Sequence, residues 1–350
     1  MDWKAYYRSA RETREASGKI DRWIRSAARE PNVELIDAIR RGGIVSFPHT
    51  TLDTAGPLDA HVVTALHAAG VRRIVCLGVL HGGCLHADAQ RAFRLALDPT
   101  ADPTERHRAL ADIGGAFLLP QPASATGRDE NRFAGHAATY DQILADPSVV
   151  RADLQGVCRH EFSLDTFLAV LAAYSERFPQ FLPEILPVYV GVTQCADRSF
   201  YASAPDVAAA LSKLFTQDTA WVATGDLIHY GPFYGVTVPG APGTDPNRAS
   251  RELRTRLERL LTQVLDDGKV NDESFDTATV LGNDQRFILP IIAALLGPHA
   301  SAKTLSFDMV DYSHILSTPP PCFVAATLSA YVPASGDVDT NRRSLYAERH

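Results

Sequence analysis

Two kinds of apolar run organise the chain. The first is short and nearly continuous. Ile44-Val45-Ser46-Phe47 follows Gly42-Gly43 and is stopped by Pro48. Ile74-Val75-Cys76-Leu77-Gly78-Val79, Leu186-Pro187-Val188-Tyr189-Val190-Gly191, Thr219 to Thr224 and Cys322 to Leu328 are of the same kind. Such runs suit strands of a sheet covered on both faces. The second kind has helical spacing. Leu58, Val62, Val63, Leu66 and Ala69 share one face, with Gly70 as the stop. Phe167, Leu168, Val170, Leu171 and Tyr174 share another face. Val207–Phe215, residues 248–266 and Phe287–Leu296 read as further helices.

Between these runs the pattern is weaker. Residues 1–40 are charged and helix-prone, with Trp3, Tyr6, Tyr7, Ile20, Trp23 and Ile24 as an apolar stripe. Residues 84–160 have little periodicity and read as a variable, partly helical insertion. Pro239-Gly240-Ala241-Pro242-Gly243 reads as a loop. Strands alternating with helices predict one α/β domain over residues 1–350, with a mostly parallel or mixed central sheet flanked by helices.

Composition narrows the class without naming it. The 350 residues are 45% hydrophobic and 21% charged, which excludes disordered, collagenous and coiled-coil chains. A net charge of −7 gives no field for a phosphate backbone, so no nucleic-acid partner is expected. No apolar run is long enough to span a membrane, and the first residues lack the apolar core of a secretory signal. The expected location is the cytoplasm. The five cysteines show no CxxC spacing and are expected as reduced thiols, Cys76 in a strand and Cys84 and Cys195 structural.

The chemistry lies where strands end. Pro48-His49, Leu80-His81 and Asp226-Leu227-Ile228-His229 each follow a strand with a polar group that strand propensity does not call for. In open α/β sheets, ligands bind beyond the carboxyl ends of the strands. Two imidazoles and a carboxylate there would match a mononuclear non-haem iron(II) site with open positions. The three-residue step from Asp226 to His229 lets the carboxylate orient the imidazole. No GxGxxG, P-loop, GxSxG or HExxH pattern competes.

The order of these pieces resembles the Memo family, within the class III extradiol ring-cleavage dioxygenase (LigB-like) superfamily. The matching stretches are Phe47-Pro48-His49, Leu77-Gly78-Val79-Leu80-His81-Gly82, Glu161-Phe162-Ser163-Leu164-Asp165, Leu186 to Gly191, and Thr224-Gly225-Asp226-Leu227-Ile228-His229-Tyr230-Gly231. They span roughly residues 40–330, and Trp3-Lys4-Ala5-Tyr6-Tyr7 is similar to the family's N-terminal aromatic cluster. The chain departs from the pattern at Gly82 and Phe162, where the family has histidines, and at Leu281, where it has cysteine.

The resemblance implies a fold, a metal and residue roles. His49 and His81 would be metal ligands, His229 the acid/base, and Asp226 its companion. Leu281 cannot bind a metal, so Asn283 is taken as the third ligand, with Asp284, Asp226 and Glu161 as the other candidates. Asn283 and Asp284 would equally serve as helix caps. The implied metal is iron(II), with zinc or copper served by the same imidazoles. The expected activity is that of an iron-dependent oxidoreductase acting on a small organic substrate, with O2 as a partner. The alternatives are a non-catalytic metal- or ligand-binding adaptor and a metal-assisted hydrolase.

Overall fold

The computed structural model describes residues 2–118, 149–153, 156–195, 201–214, 218–235 and 246–334, with backbone alone for 246–249. Its strands are β1 (Ile44–Phe47), β2 (Arg73–Val79), β3 (Ala116–Leu118), β4 (Val150–Ala152), β5 (Glu184–Val190), β6 (Thr219–Thr224), β7 (His229–Tyr230), β8 (Ser301–Asp311) and β9 (Phe323–Val332). They form one mixed sheet in the order β4-β3-β5-β2-β6-β1-β9-β7, with β8 also paired to β9. The strands β5, β2, β6 and β1 run parallel. The flanking pairs β3–β5 and β1–β9 are antiparallel.

The parallel centre explains the continuous apolar runs. In β2 all residues after Arg73 are buried, and all of β1 and β6 are buried. Helices provide the cover. They are α1 (Trp3–Ala16), α2 (Lys19–Arg29), α3 (Val33–Arg40), α4 (Leu52–Ala68), α5 (Ala87–Leu97), α6 (Pro103–Ile113), α7 (Asp165–Arg177), α8 (Ala204–Ser212), α9 (Pro246–Asp267), α10 (Asp272–Val280), α11 (Leu289–Leu296) and α12 (Ser313–Leu316). Helix α4 packs on α2, α3 and α7, while α11 packs on α8 and α9. Gly70, at φ +77°, ends α4. Its amide donates to His67 O and that of Val71 to Leu66 O, which closes the helix with a left-handed residue.

Several sequence expectations shift. The helix expected at Val207–Phe215 spans Ala204–Ser212, and the late strand runs four residues further, to Val332. The apolar helix expected from Phe287 divides into a 3-10 turn at Asp284–Phe287 and α11. The stretch taken as a variable insertion holds α5, α6, β3 and β4, of which the two strands extend the sheet edge. Residues 119–148 of that stretch, and the loop at 239–243, lie outside the described residues. The eleven-residue β8 was not anticipated.

Register brings the strand ends level. Phe47 pairs with Thr224, and Leu77 with Ala223. Because β6 lies between β1 and β2, the loops beginning at Pro48, Leu80 and Gly225 leave the same sheet edge side by side. Among the described residues no helix is long and apolar enough to cross a membrane.

Candidate metal centre

Three loops and one turn build the site. Pro48 cannot donate to a ladder, so β1 ends and the chain turns His49 inward, 3% exposed. After β6, Gly225 lets the backbone pass the side chain of Gln285, whose Cγ a Cβ at this position would meet at 2.5 Å. The next residue, Asp226, accepts the His49 backbone N–H on Oδ1 at 3.1 Å. The fourth piece is the 3-10 turn after α10. Asn283 Oδ1 accepts from Gln285 N at 2.7 Å, and Gln285 Nε2 donates to Ser46 Oγ at 2.8 Å. The Asp284 amide donates to Asp226 O at 3.1 Å. The turn is thereby tied to β1 and to the loop after β6, and it delivers Asp284 between the histidines.

Asp284 Oδ2 lies 3.2 Å from His49 Nε2 and 3.7 Å from His81 Nε2. One donor atom from each of the three residues falls within 4.8 Å of the others. Ligands about 2.0–2.2 Å from a shared ion stand about 3–3.5 Å apart, so the group is close to the size of a cation's coordination shell. Asp284 Oδ2 is also buried without an aligned hydrogen bond among the described residues. An anionic oxygen held so beside two imidazole nitrogens is the donor set of a two-histidine, one-carboxylate centre, and the residues fit a divalent metal.

The outer nitrogens are engaged. His81 Nδ1 stands 2.9 Å from Glu161 Oε1, and the His81 backbone N–H donates to Glu161 Oε2 at 2.7 Å. Glu161 Oε1 accepts further from the amides of Phe162 and Ser163, at 2.8 and 2.9 Å. An anionic acceptor at Nδ1 holds the proton there and leaves Nε2 to face Asp284. His49 Nδ1 lies 3.1 Å from Thr224 Oγ1, which can do the same. His229 Nδ1 must donate, because its partner at 2.8 Å is the carbonyl of Gly282. Its own amide donates to Leu281 O at 2.9 Å, so His229 and Asp284 hang on one turn.

Charge is shared unevenly among these groups. Burial opposes the imidazolium of His81, yet Glu161 and Asp284 together raise its pKa well above the usual histidine value. Burial lowers His49, and the Asp284 carboxylate only partly offsets it. Burial also opposes the Asp284 carboxylate, but His229, His49 and His81 hold it well below the ordinary range. Asp226 moves the other way, pushed well up by burial and then by the charge of Asp284. Of the two carboxyls, Asp226 therefore holds a proton more tightly than Asp284. A bound cation would displace the proton of His81, since metal and proton compete for the same lone pair.

The predicted residues divide clearly. His49 and His81 come together, with Asp226 and His229 alongside; Asp226, His229 and Asp284 form an overlapping group within 4.8 Å. Asn283 does not join them. It is 0% exposed and its Oδ1 caps the 3-10 turn, while the carboxylate that meets the two imidazoles is that of the next residue, Asp284. Glu161 is the partner of His81 Nδ1 in this arrangement. Leu281 is buried in the core, and Phe162 stacks on the His81 ring at 4.8 Å and 9°. Tyr7 stacks on Phe162 in turn and donates its hydroxyl to His49 O at 2.7 Å. Sequence reasoning passed over Tyr7 as a site residue; its place in an aromatic cluster was the available signal. All five cysteines are free, as expected, and Cys84 borders the cavity with its thiol pushed up to about 12 by burial.

These groups line a cavity of about 580 Å³. Its other walls are Trp3 and Tyr7 from α1, Phe162, Phe233 and Tyr234 after β7, and Tyr312 and Leu316 around α12. The chamber has the volume of a small-molecule site.

No family model matches the chain, and no curated protein matches it. Among solved structures it is similar to an uncharacterized protein, JW3007, from Escherichia coli K12. The identity is 11% and the TM-score 0.43, over 83% of this chain and 99% of the other.

Proposed function

We propose that the chain is a metal-dependent oxidoreductase of the extradiol-dioxygenase type, with iron(II) held by His49, His81 and Asp284. The observation that carries this reading is the approach of Asp284 Oδ2 to both Nε2 atoms, at 3.2 and 3.7 Å. It supplies a third donor where the departure at Leu281 removes the cysteine of the family pattern. A bound divalent ion would act as a Lewis acid that lowers the pKa of a coordinated hydroxyl. The substrate class that suits such a centre is a small aromatic diol, with O2 as co-substrate.

The protein's own groups divide the remaining work. Glu161 fixes the tautomer of His81 and its ring orientation. The aromatic walls displace water from the diol ring and orient it. His229 keeps its Nδ1 proton on Gly282 O, so proton exchange falls to Nε2, as the acid/base expected at this position. Asp226 holds the His49 backbone through Oδ1 and keeps the loop in place.

Metal content of protein purified without oxygen tests the proposal. About one iron per chain is expected, because the groups that could hold an ion overlap at His81 and Asp284. His49→Ala and Asp284→Ala are each expected to lose it. Oxygen uptake in the presence of simple catechols is then expected from the iron form. Tight binding of zinc with hydrolysis and no oxygen uptake would replace this reading by a hydrolase. No uptake of iron, zinc or copper would remove the metal function altogether and leave a ligand-binding cleft.

A further inference from the structure

The cavity walls differ sharply from its floor. The floor carries the imidazoles and carboxylates, while six aromatic rings (Trp3, Tyr7, Phe162, Phe233, Tyr234 and Tyr312) and Leu316 make up most of the walls, beside Cys84 and three glycines. No lysine or arginine lines this chamber among the described residues. The basic side chains nearby are committed elsewhere. Lys4 Nζ donates to the carbonyls of Arg159 and Glu161, both at 3.1 Å. Arg286 lines a separate, smaller cavity of about 80 Å³ that also touches His81, and its guanidinium lies 4.9 Å from the Phe287 ring. Arg8 and Arg11 border another small cavity, behind Tyr7.

The aromatic walls are also fastened. Trp3 packs on Phe162 at 6.1 Å and on Tyr312 at 6.4 Å between ring centroids. Lys4, the next residue, ties the start of α1 to the loop that carries Glu161. The N-terminal turn of α1 is therefore part of the chamber, and its face toward the ligand is apolar. Phe233, 53% exposed, extends that apolar surface to the rim.

We infer that the site selects an aromatic substrate whose ring substituent is uncharged and apolar, and rejects one whose substituent is a carboxylate. A carboxylate on the ring would exchange its hydration largely for aromatic faces, with no lysine or arginine among the described residues to meet it. Leaving an anion unpaired in such surroundings is heavily unfavourable. A methyl or larger alkyl group in the same place gains apolar burial instead. The inference deepens the proposed reading, on which its diol half rests, and it names Trp3 and Leu316 as specificity-determining positions.

Two probe pairs test it by titration calorimetry, one that chelates a metal and one that cannot. The first is 4-methylcatechol against 3,4-dihydroxybenzoate on iron-loaded protein without oxygen. The second is 4-methylphenol against 4-hydroxybenzoate on the same protein. The methyl member is expected to bind at least about tenfold tighter in both pairs. Trp3→Ala is expected to weaken the methyl members by about fivefold, with metal content unchanged. Leu316→Arg is expected to narrow or invert the preference by supplying the missing cation. A methyl preference in the phenol pair, with no effect of metal on the diol pair, supports this inference while refuting the diol reading. Equal or tighter binding of the carboxylated member in either pair overturns it, as does the absence of binding by both pairs.

Discussion

The Glu161 carboxylate holds His81 at two points, with Oε1 2.9 Å from the ring Nδ1 and Oε2 accepting the backbone N–H at 2.7 Å. One side chain thus fixes both where the imidazole sits and which nitrogen carries its proton. Glu161 is itself buried, and its remaining bonds come from the amides of Phe162 and Ser163. Burial opposes its charge, but His81 and these donors lower its pKa. Glu161→Gln keeps the shape and loses the charge. It is expected to weaken metal binding about 10- to 100-fold with the fold intact, as for other groups that orient a ligand. Competition with a chromophoric chelator measures this; unchanged affinity would remove Glu161 from the centre.

Adjacent residues at the 3-10 turn have separable roles. Asp284 faces the two Nε2 atoms, while Asn283 caps the turn through Gln285 N. Asp284→Asn is expected to abolish stoichiometric metal binding, because a neutral amide replaces the carboxylate that faces both imidazoles. Asn283→Ala is expected to lower stability by about 1 kcal/mol, the scale of a lost cap, while metal still binds. Urea unfolding and elemental analysis on both variants distinguish the two roles. Loss of metal from Asn283→Ala without loss of stability would make Asn283 a ligand.

The legible parts of the chain were those where physics leaves few options. Strands β1, β2, β5 and β6 are buried on both faces, so their apolar runs are continuous and readable. His49, His81 and His229 stood out because an imidazole at a strand end answers to no strand preference. Strand β8 was hidden because Ser301–Asp311 mixes exposed and half-buried positions. Strand β3, three residues long, leaves too little pattern to read. Asn283 and Asp284 look alike as caps in sequence. Only the turn that ties Gln285 to Ser46 decides which of them faces the histidines.

Two buried carboxyls outside the metal centre set a pH dependence for folding. Asp59, in α4, is 0% exposed, and neither carboxylate oxygen has a hydrogen-bond partner among the described residues. Burial raises its pKa well above the usual value. Asp165, at the start of α7, is pushed up to about 7, chiefly by burial and against the pull of Lys4. A raised acid binds its proton more tightly in the folded chain than in the unfolded one. Folding is therefore favoured below the unfolded value near 3.8 and loses ground as pH rises from there, for Asp165 until about 7. Each fully unmatched proton costs about 1.4 kcal/mol per pH unit. Asp59→Asn is expected to flatten the fall in stability as pH rises above the unfolded value near 3.8. Metal-free protein unfolded by urea across this range gives the slope, and an unchanged slope would place the Asp59 proton elsewhere.

His229 separates binding from chemistry. Its Nδ1 is occupied by Gly282 O, and its distance to Asp284 Oδ1 is 3.8 Å, longer than a ligand-to-ligand hydrogen bond. It borders the cavity, so its free Nε2 is the atom available to a substrate hydroxyl. His229→Gln keeps a polar side chain of similar length but cannot exchange a proton near neutral pH. Metal content and 4-methylcatechol affinity are expected to stay within about threefold of the parent, since neither rests on acid/base chemistry. Turnover of the diol, read as oxygen uptake, is expected to fall about 10²- to 10⁴-fold, the span that positioned proton transfer contributes. A variant that loses the metal would instead make His229 a ligand. One that keeps full turnover would move the proton transfer to another group on the cavity wall, with Tyr234, 4.8 Å away between ring centroids, the next in reach.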